Sequence, residues 1–402
     1  MILAHKIALD PTPEQRVYFA KAAGTARFTW NWALAEWKRQ YEAGEKPSYA
    51  KLSRQFTREI KSNPELAWVK EVHNKVYRRP FFNLGKAFTA FFKRLKKGEK
   101  PGYPQFKKKG IHDSFYVHNQ DLRVDGRRVS MPTPRSGWVR TFESLRFDGE
   151  IVGATVSREG DRWYIAIQVE VSEYKKPRTG DEIVGVDLGI EKLATLSTGE
   201  RIDGPKPLEY YLDKLRRLSK QHSRKQKGSN NRRKSAMKLA RLHARIGNIR
   251  RDALHKLTTR LCSENQTVAI EDLDVKGMSA NRKLARQILD MGWSEFRRQL
   301  DYKAKVYGTQ IVVADKFYAS SKTCSRCGRR KEDLSLSERK FVCEECGFEE
   351  NRDVNAALNL RTLGQSGTNA WGQESSGPDG GSRRNQGETG LDEPGTKYAH
   401  AR

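Results

Sequence analysis

At 402 residues the chain is too long for one compact core and suits roughly two to four folding units. A hydrophobic content of 36% supports packed domains, while a formal net charge of +28 makes a polyanion the natural partner, because each Lys or Arg docked on phosphate releases condensed counterions. No apolar run approaches the roughly 18 residues of a spanning helix, and M-I-L-A-H-K-I-A-L-D-P lacks the blocks of a signal peptide, so no membrane partner and a cytoplasmic location are expected.

Residues 2–9 read as a short strand, after which Asp10-Pro11-Thr12-Pro13-Glu14 supplies a turn and a proline-started helix to about Tyr41. Helical segments follow over about 49–60 and 69–96, the second rich in Phe81, Phe82, Phe88, Phe91 and Phe92. K-K-G-E-K-P-G-Y-P-Q-F-K-K-K-G then breaks all periodicity and forms a basic loop. From Ser114 to Val171 short alternating segments with turn residues predict a β-rich unit, with a hairpin around Glu159-Gly160-Asp161. Residues 175–180 look like a linker.

A buried-type strand over 183–187 leads into a second hairpin, L-A-T-L-S-T-G-E-R-I, turning at Ser197 to Gly199. Two long basic helices, about 208–224 and 232–262, are joined by K-Q-K-G-S-N-N, and Leu239, Leu242, Ile246, Ile249, Leu257 and Leu261 give the second an apolar stripe. A strand over 267–271, a helix around 284–307 and a strand over 309–314 complete an alternation typical of α/β folds. From Gly364 onward the chain is rich in Gly, Ser, Asn and Pro and is expected to be disordered.

Charge is unevenly placed. Between Lys206 and Lys256 stand 17 lysines and arginines against three acids, half of the excess of the whole chain. Arg224, Lys225, Arg232 and Arg233 flank the connection between the two helices and are its candidate phosphate contacts. Residues 365–402 carry four basic and five acidic residues and bring no such attraction.

Cys324 and Cys327 in C-S-R-C, then fifteen residues, then Cys343 and Cys346 in C-E-E-C, have the spacing of two knuckles whose four thiolates close a tetrahedron around Zn2+. Gly328 and Gly347 suit the tight turn after each pair. With all four positions filled by sulfur such a metal holds shape and leaves no open site for catalysis. Cys262, alone at a helix end, reads as a buried apolar residue.

Three acids stand out. Alternation puts Ile183, Gly185 and Asp187 of V-G-V-D-L-G-I on one strand face, and an acid ending so apolar a strand is costly unless something positive meets it. V-A-I-E-D-L repeats the device, with Ala269 and Glu271 on one face and Asp272 on the other. Asp353 opens a helix through Ala356, Ala357 and Leu360. Taken singly, Asp187 could serve a turn before Gly189, and Asp353 could complement a helix dipole. Taken together, they fit two-metal phosphodiester cleavage, in which convergent acidic oxygens hold ions about 4 Å apart. Hard carboxylate oxygens suit Mg2+ or Mn2+, as soft thiolates suit Zn2+. No G-x-x-x-x-G-K-[ST] phosphate loop is present, which argues against an NTP-driven motor.

G-T-A-R-F-T-W-N, G-Y-P-Q-F-K-K-K, V-G-V-D-L-G-I, A-I-E-D-L, S-S-K-T-C-S-R-C-G and N-R-D-V-N-A-A-L-N occur in that order, and over almost the whole chain to about Gly364 the sequence resembles TnpB, the insertion-sequence-encoded RNA-guided nuclease related to type V CRISPR effectors. The resemblance implies a multidomain α/β protein. Residues 1–176 would form a wedge-type β-barrel with a helical recognition insert over about 10–113. Residues 177–320 would form a RuvC nuclease domain of RNase H-like fold carrying the basic helical hairpin over about 206–262, interrupted at 321–350 by a zinc ribbon and completed by a final helix at 351–364, before the 365–402 tail.

It also implies Asp187, Glu271 and Asp353 as catalytic Mg2+ ligands, and a guide RNA and target double-stranded DNA as partners of a monomer located at the nucleoid of a prokaryote. A short target-adjacent DNA motif would be read by protein while base pairing reads the rest. Tyr49, Ser53, Asn74 and Arg78 are the candidate readers, and Arg352 a candidate contact to the scissile strand, against a bland role as a solvated residue. A nuclease-silent RNA-guided regulator and a guide-independent RNase H-like transposase are the alternatives; none of the three acids is lost, which disfavours the first.

Overall fold

The computed structural model describes residues 1–110, 113–132, 137–316, 318–335 and 338–366; of the tail expected to be disordered from Gly364, residues 364–366 instead end the last helix, and the rest, from residue 367, lies outside the described residues. Strand β1 (Ile2–Asp10) is followed by helix α1 (Pro13–Glu42), α2 (Tyr49–Ser62), a 3-10 segment (Pro64–Glu71) and α3 (Asn74–Lys96). Thr12 starts α1 with a reciprocal cap, its hydroxyl accepting from the Gln15 N–H at 3.3 Å while Gln15 Oε1 accepts from the Thr12 N–H at 3.0 Å. The 69–96 helix expected from periodicity begins only at Asn74, because Pro64 and the Asn63 cap wind the preceding residues into 3-10 turns.

Strands β2 (Ser114–His118), β3 (Arg123–Asp125), β4 (Arg128–Ser130), β5 (Trp138–Thr141), β6 (Glu150–Glu159) and β7 (Arg162–Glu170) join β1 in a seven-stranded antiparallel sheet of order β2-β6-β7-β1-β5-β4-β3. The β6–β7 turn holds Gly160 at φ +61°, where a side chain would be strained. The first strand of the chain thus lies inside the sheet, and the helices enter as an excursion between β1 and β2. Helix α1 serves two cores: Tyr18, Phe19, Ala22 and Ala23 pack on the sheet, whereas Trp30, Ala33 and Leu34 pack with Phe56, Phe81 and Phe88 of the helical unit.

The second unit contains β8 (Glu182–Asp187), β9 (Ala194–Leu196), β10 (Arg201–Ile202), α4 (Pro207–Tyr210), α5 (Leu212–Ser223), α6 (Asn230–Glu264), β11 (Asn265–Glu271), α7 (Val275–Met278), α8 (Ala285–Met291), α9 (Trp293–Tyr307), β12 (Gln310–Ala314), the short strands β13 (Lys340–Val342) and β14 (Glu349–Asn351), and α10 (Arg352–Ser366). Its sheet runs β10-β9-β8-β11-β12, with β8, β11 and β12 parallel and β9 and β10 antiparallel. The expected 284–307 helix is two helices, because Gly292 takes φ +74° and ends one as it opens the next. The 208–224 helix is likewise broken at Tyr211. Among the described residues no helix is long and apolar enough to cross a membrane.

Helices cover both faces of this sheet. Leu254, Leu257 and Leu261 of α6 and Phe296 and Leu300 of α9 pack on one side with Val184, Val186 and Ile270. On the other side α10 approaches so closely that a methyl group on Gly185 would stand 1.9 Å from the Ala357 carbonyl oxygen and 2.5 Å from the Arg361 nitrogen. Reciprocally, one on Gly364 would stand 3.0 Å from Ile183 Cγ2 and 3.2 Å from Ala269 Cβ. Gly185→Ala should therefore push the helix off the strand and cost about 3 kcal/mol or more, read as a lower urea midpoint for this unit. An unchanged midpoint would contradict this packing.

Candidate active site and cysteine clip

The parallel register of β8 and β11 pairs Gly185 with Ala269 and Val186 with Ile270, so Asp187 and Glu271 end neighbouring strands side by side. Strands pair about 4.8 Å apart, and alternation turns both acids to the face that carries α10. Asp353 lies in the first turn of α10, one turn before Ala357, whose carbonyl rests on Gly185. Asn351 caps that turn, accepting from the Asp353 N–H at 3.0 Å. Asp272 is exposed, in agreement with its opposite orientation.

The Asp187 carboxyl stands in the field of the other two acids. Burial, then the charges of Glu271 and Asp353, push the Asp187 carboxyl well above the usual range, against a smaller opposing pull from Arg352. Burial also raises Glu271, while the Ser320 hydroxyl donates to its Oε1 and opposes that rise. The three carboxylates do not meet as tightly as the cysteines: among the described residues, the cysteine set alone has three or more potential metal-ligand atoms all within 4.8 Å of one another. A divalent ion would have to draw the acids together.

Cys324 Sγ lies 3.7 Å from Cys346 Sγ, and Cys327 Sγ lies 3.6 Å from Cys343 Sγ. These separations match the edge, about 3.8 Å, of a thiolate tetrahedron with metal–sulfur bonds of about 2.3 Å. Gly328 and Gly347 take φ +77° and +66° at the knuckle turns. The backbone N–H of Cys346, and less that of Glu345, draws the Cys343 thiol down to about 7. Cys262 is buried and its thiol pushed up to about 12 by burial, in keeping with an apolar role.

The candidate nucleic-acid contacts sort into distinct groups. Arg224, Lys225 and Arg233 are exposed around the hairpin connection. Arg232 is not free in the same sense, since its Nη1 donates to His222 O at 3.1 Å and Lys225 O at 2.7 Å and so closes the connection. Arg241 pairs with Asp161 at 2.6 Å and ties the basic hairpin to the first unit. Tyr49 and Ser53 stand one turn apart on α2, as do Asn74 and Arg78 on α3, and the Tyr49–Phe82 ring contact at 6.0 Å brings these rows together. Arg352 donates to Ser335 O at 2.9 Å. Sequence reading missed Ser320, Asn355 and Asn359; the polar i, i+4 spacing of Asn355 and Asn359 after Asp353 was the available signal.

Residues 166–282 match the family described as "Probable transposase", of the OrfB proteins of IS605-type elements. Residues 293–360 match "Cas12f1-like, TNB domain". Residues 1–46 match "Helix-turn-helix domain", although here they form one strand and one long helix. A "Putative RNA-guided DNA endonuclease" of Streptomyces pristinaespiralis is 38% identical over 90% of this chain and 89% of that protein. One of Escherichia coli K12, InsQ, is 36% identical over 90% and 92%. The fold is similar to that of Cas12f1 in its complex with sgRNA and target DNA, with a TM-score of 0.54 at 16% identity over 87% of this chain and 83% of that one.

A raised carboxyl pKa carries a stability consequence. At pH below the ordinary carboxylate range, folded and unfolded chains both hold the Asp187 proton; as pH rises through that range the unfolded chain releases it first and stability falls, with the full cost present above the raised folded value. Asp187→Asn should therefore raise the melting temperature in buffer without added divalent ions at pH 8, with the gain shrinking toward pH 4. An equal gain at both values would contradict the electrostatic origin.

Proposed function

The chain belongs to the TnpB family of insertion-sequence proteins, and from that premise we propose that it is an RNA-guided DNA endonuclease whose cutting centre is Asp187, Glu271 and Asp353. The observation that carries this reading is the pairing of β8 with β11, which sets two acids together at the carboxyl ends of parallel strands where α/β folds keep their sites. The sheet order, in chain-order numbering 3-2-1-4-5, supports an RNase H-like RuvC domain. We read 177–320 and 351–364 as that domain, 321–350 as its zinc ribbon and 1–176 as the wedge-type barrel with its helical insert.

The acids suit Mg2+ or Mn2+ by donor chemistry, being half-buried oxygens with too little positive charge beside them. Divalent metal bound there would activate the attacking water and neutralise charge on the leaving oxygen. Asp187 and Glu271 would supply oxygens from the carboxyl ends of two inner strands, and Asp353 would close the site from the helix above. Protons compete with cations for the raised Asp187 carboxyl, so cutting should weaken as pH falls. The four thiols fit Zn2+ in a shape-holding role.

Guide RNA and target double-stranded DNA would lie on the exposed cations, with Arg224, Lys225 and Arg233 holding phosphate. Tyr49, Ser53, Asn74 and Arg78 would read the target-adjacent motif. In a prokaryote the chain would work at the nucleoid, as a monomer on its RNA.

Sequencing the RNA that co-purifies with the chain tests guidance: one discrete species with a fixed 3′ end is expected, and strand joining without such RNA would favour a guide-independent transposase. Asp187→Ala should lower target cleavage on the order of 10³-fold with RNA retained, since loss of several kcal/mol of charge stabilisation is at stake. Persistent cutting would remove Asp187 from the centre. Cys324→Ser should lower both zinc content and melting temperature, because thiolate ligation contributes to folding directly. Lost cleavage with zinc content and stability unchanged would contradict that role.

A further inference from the structure

Ser320 stands where the cysteine clip and the acidic cluster meet. Its hydroxyl donates to Oε1 of Glu271, and its carbonyl oxygen accepts from Asn359 Nδ2 at 2.8 Å. The same Asn359 amide reaches Thr323 O at 2.6 Å, where Asn355 Nδ2 also arrives at 2.7 Å. Asn355 Oδ1 then accepts from the Ser325 N–H at 2.9 Å. Both residues flanking Cys324 are thus held by one face of α10, the helix that also presents Asp353.

Four of the residues that hold this junction are shut off from water. Ser320, Asn355 and Asn359 are 3%, 0% and 5% exposed, and Cys324 is 1% exposed. A buried amide that loses its carbonyl partner is left unsatisfied, so the segment from Ser320 to Ser325 has one strongly favoured placement. Thr323 tightens it, its N–H and hydroxyl both donating to Ala319 O, at 3.1 and 2.9 Å.

We propose that Ser320 is a positioning residue for the cutting centre and that the metal-bound cysteine clip, through Asn355 and Asn359, sets where its hydroxyl stands. The inference rests on the reading of Glu271 as a metal-binding acid. A carboxylate has two oxygens; a hydroxyl on Oε1 fixes the rotamer of the long Glu271 side chain and leaves Oε2 to face a cation. Asn355 and Asn359 hold the loop to α10, and thiolate–metal bonds at Cys324 hold its far end. Freeing Cys324 therefore loosens Ser320 and, through it, Glu271. Groups that orient a metal ligand in this way typically alter metal affinity about 10- to 100-fold when removed.

The test is Mn2+ binding to the full chain, followed by electron paramagnetic resonance, for wild type, Ser320→Ala, Ser320→Thr, Cys324→Ser and Asp187→Asn, with zinc content and circular dichroism measured on each. Ser320→Ala should raise the Mn2+ midpoint about 10- to 100-fold with zinc content and folded signal unchanged, and Ser320→Thr should restore it. A folded Ser320→Ala chain with the wild-type midpoint overturns the positioning role. Cys324→Ser, at a temperature where it remains folded, should lose zinc and shift the midpoint the same way; zinc loss with a wild-type midpoint overturns the coupling. Failure of the underlying site reading looks different, since Asp187→Asn would then bind Mn2+ as wild type does.

Discussion

The contact on which the second unit depends is one without side chains. Gly185 lets the backbone of α10 rest directly on β8, with the Ala357 carbonyl in the space that any other residue would fill. Ala356, Ala357, Leu360 and Gly364 keep the rest of the helix low over β8, β11 and β12. A larger helix–sheet gap would lift Asp353 away from Asp187 and Glu271. Because α10 also grips the Ser320–Ser325 segment through Asn355 and Asn359, one helix seats both the third acid and the start of the cysteine clip. The clip, though an insertion in sequence, is continuous with the site in hydrogen bonding.

Charge around the three acids is left unbalanced. In a chain with net charge +28, lysines could easily have neutralised the acids. Arg352 is instead the positive group acting on Asp187, and it is outweighed by burial and by two neighbouring carboxylates. A protein that wanted only a structural ion pair would satisfy these acids internally, since uncompensated buried charge is expensive. Compare Asp290, which is more deeply buried but receives Arg250 at 2.6 Å and the N–H groups of Leu208 and Glu209, and so pins the base of the basic hairpin. The contrast separates an acid neutralised within the fold from acids crowded by like charge.

Much of this was legible in the primary chain, for identifiable reasons. Strands that end in an acid after alternating apolar residues fix which face Asp187 and Glu271 take, and the C-x2-C spacing fixes the knuckles. Helix boundaries were less legible where one residue decides them: Gly292 in the left-handed region splits a helix whose apolar pattern continues through it, and Pro64 turns residues that read as α-helix into 3-10 turns. The central place of β1 in its sheet could not be read locally, because its partners β5 and β7 lie far along the chain. Ser320 escaped because its partner is a carboxylate remote in sequence, and the i, i+4 spacing of Asn355 and Asn359 shows a shared helix face but not the loop groups they bind. Arg232 was counted with the exposed cations because charge composition does not show that its guanidinium closes its own loop.

The central claim is that Asp187, Glu271 and Asp353, remote in sequence, form one cation-binding cluster under the N-terminal turn of α10. Anomalous diffraction from crystals soaked in Mn2+ measures this directly. The account predicts manganese peaks within bonding distance of carboxylate oxygens from all three residues. Peaks confined to other surfaces, or bound to one acid while the other two face elsewhere, would contradict it.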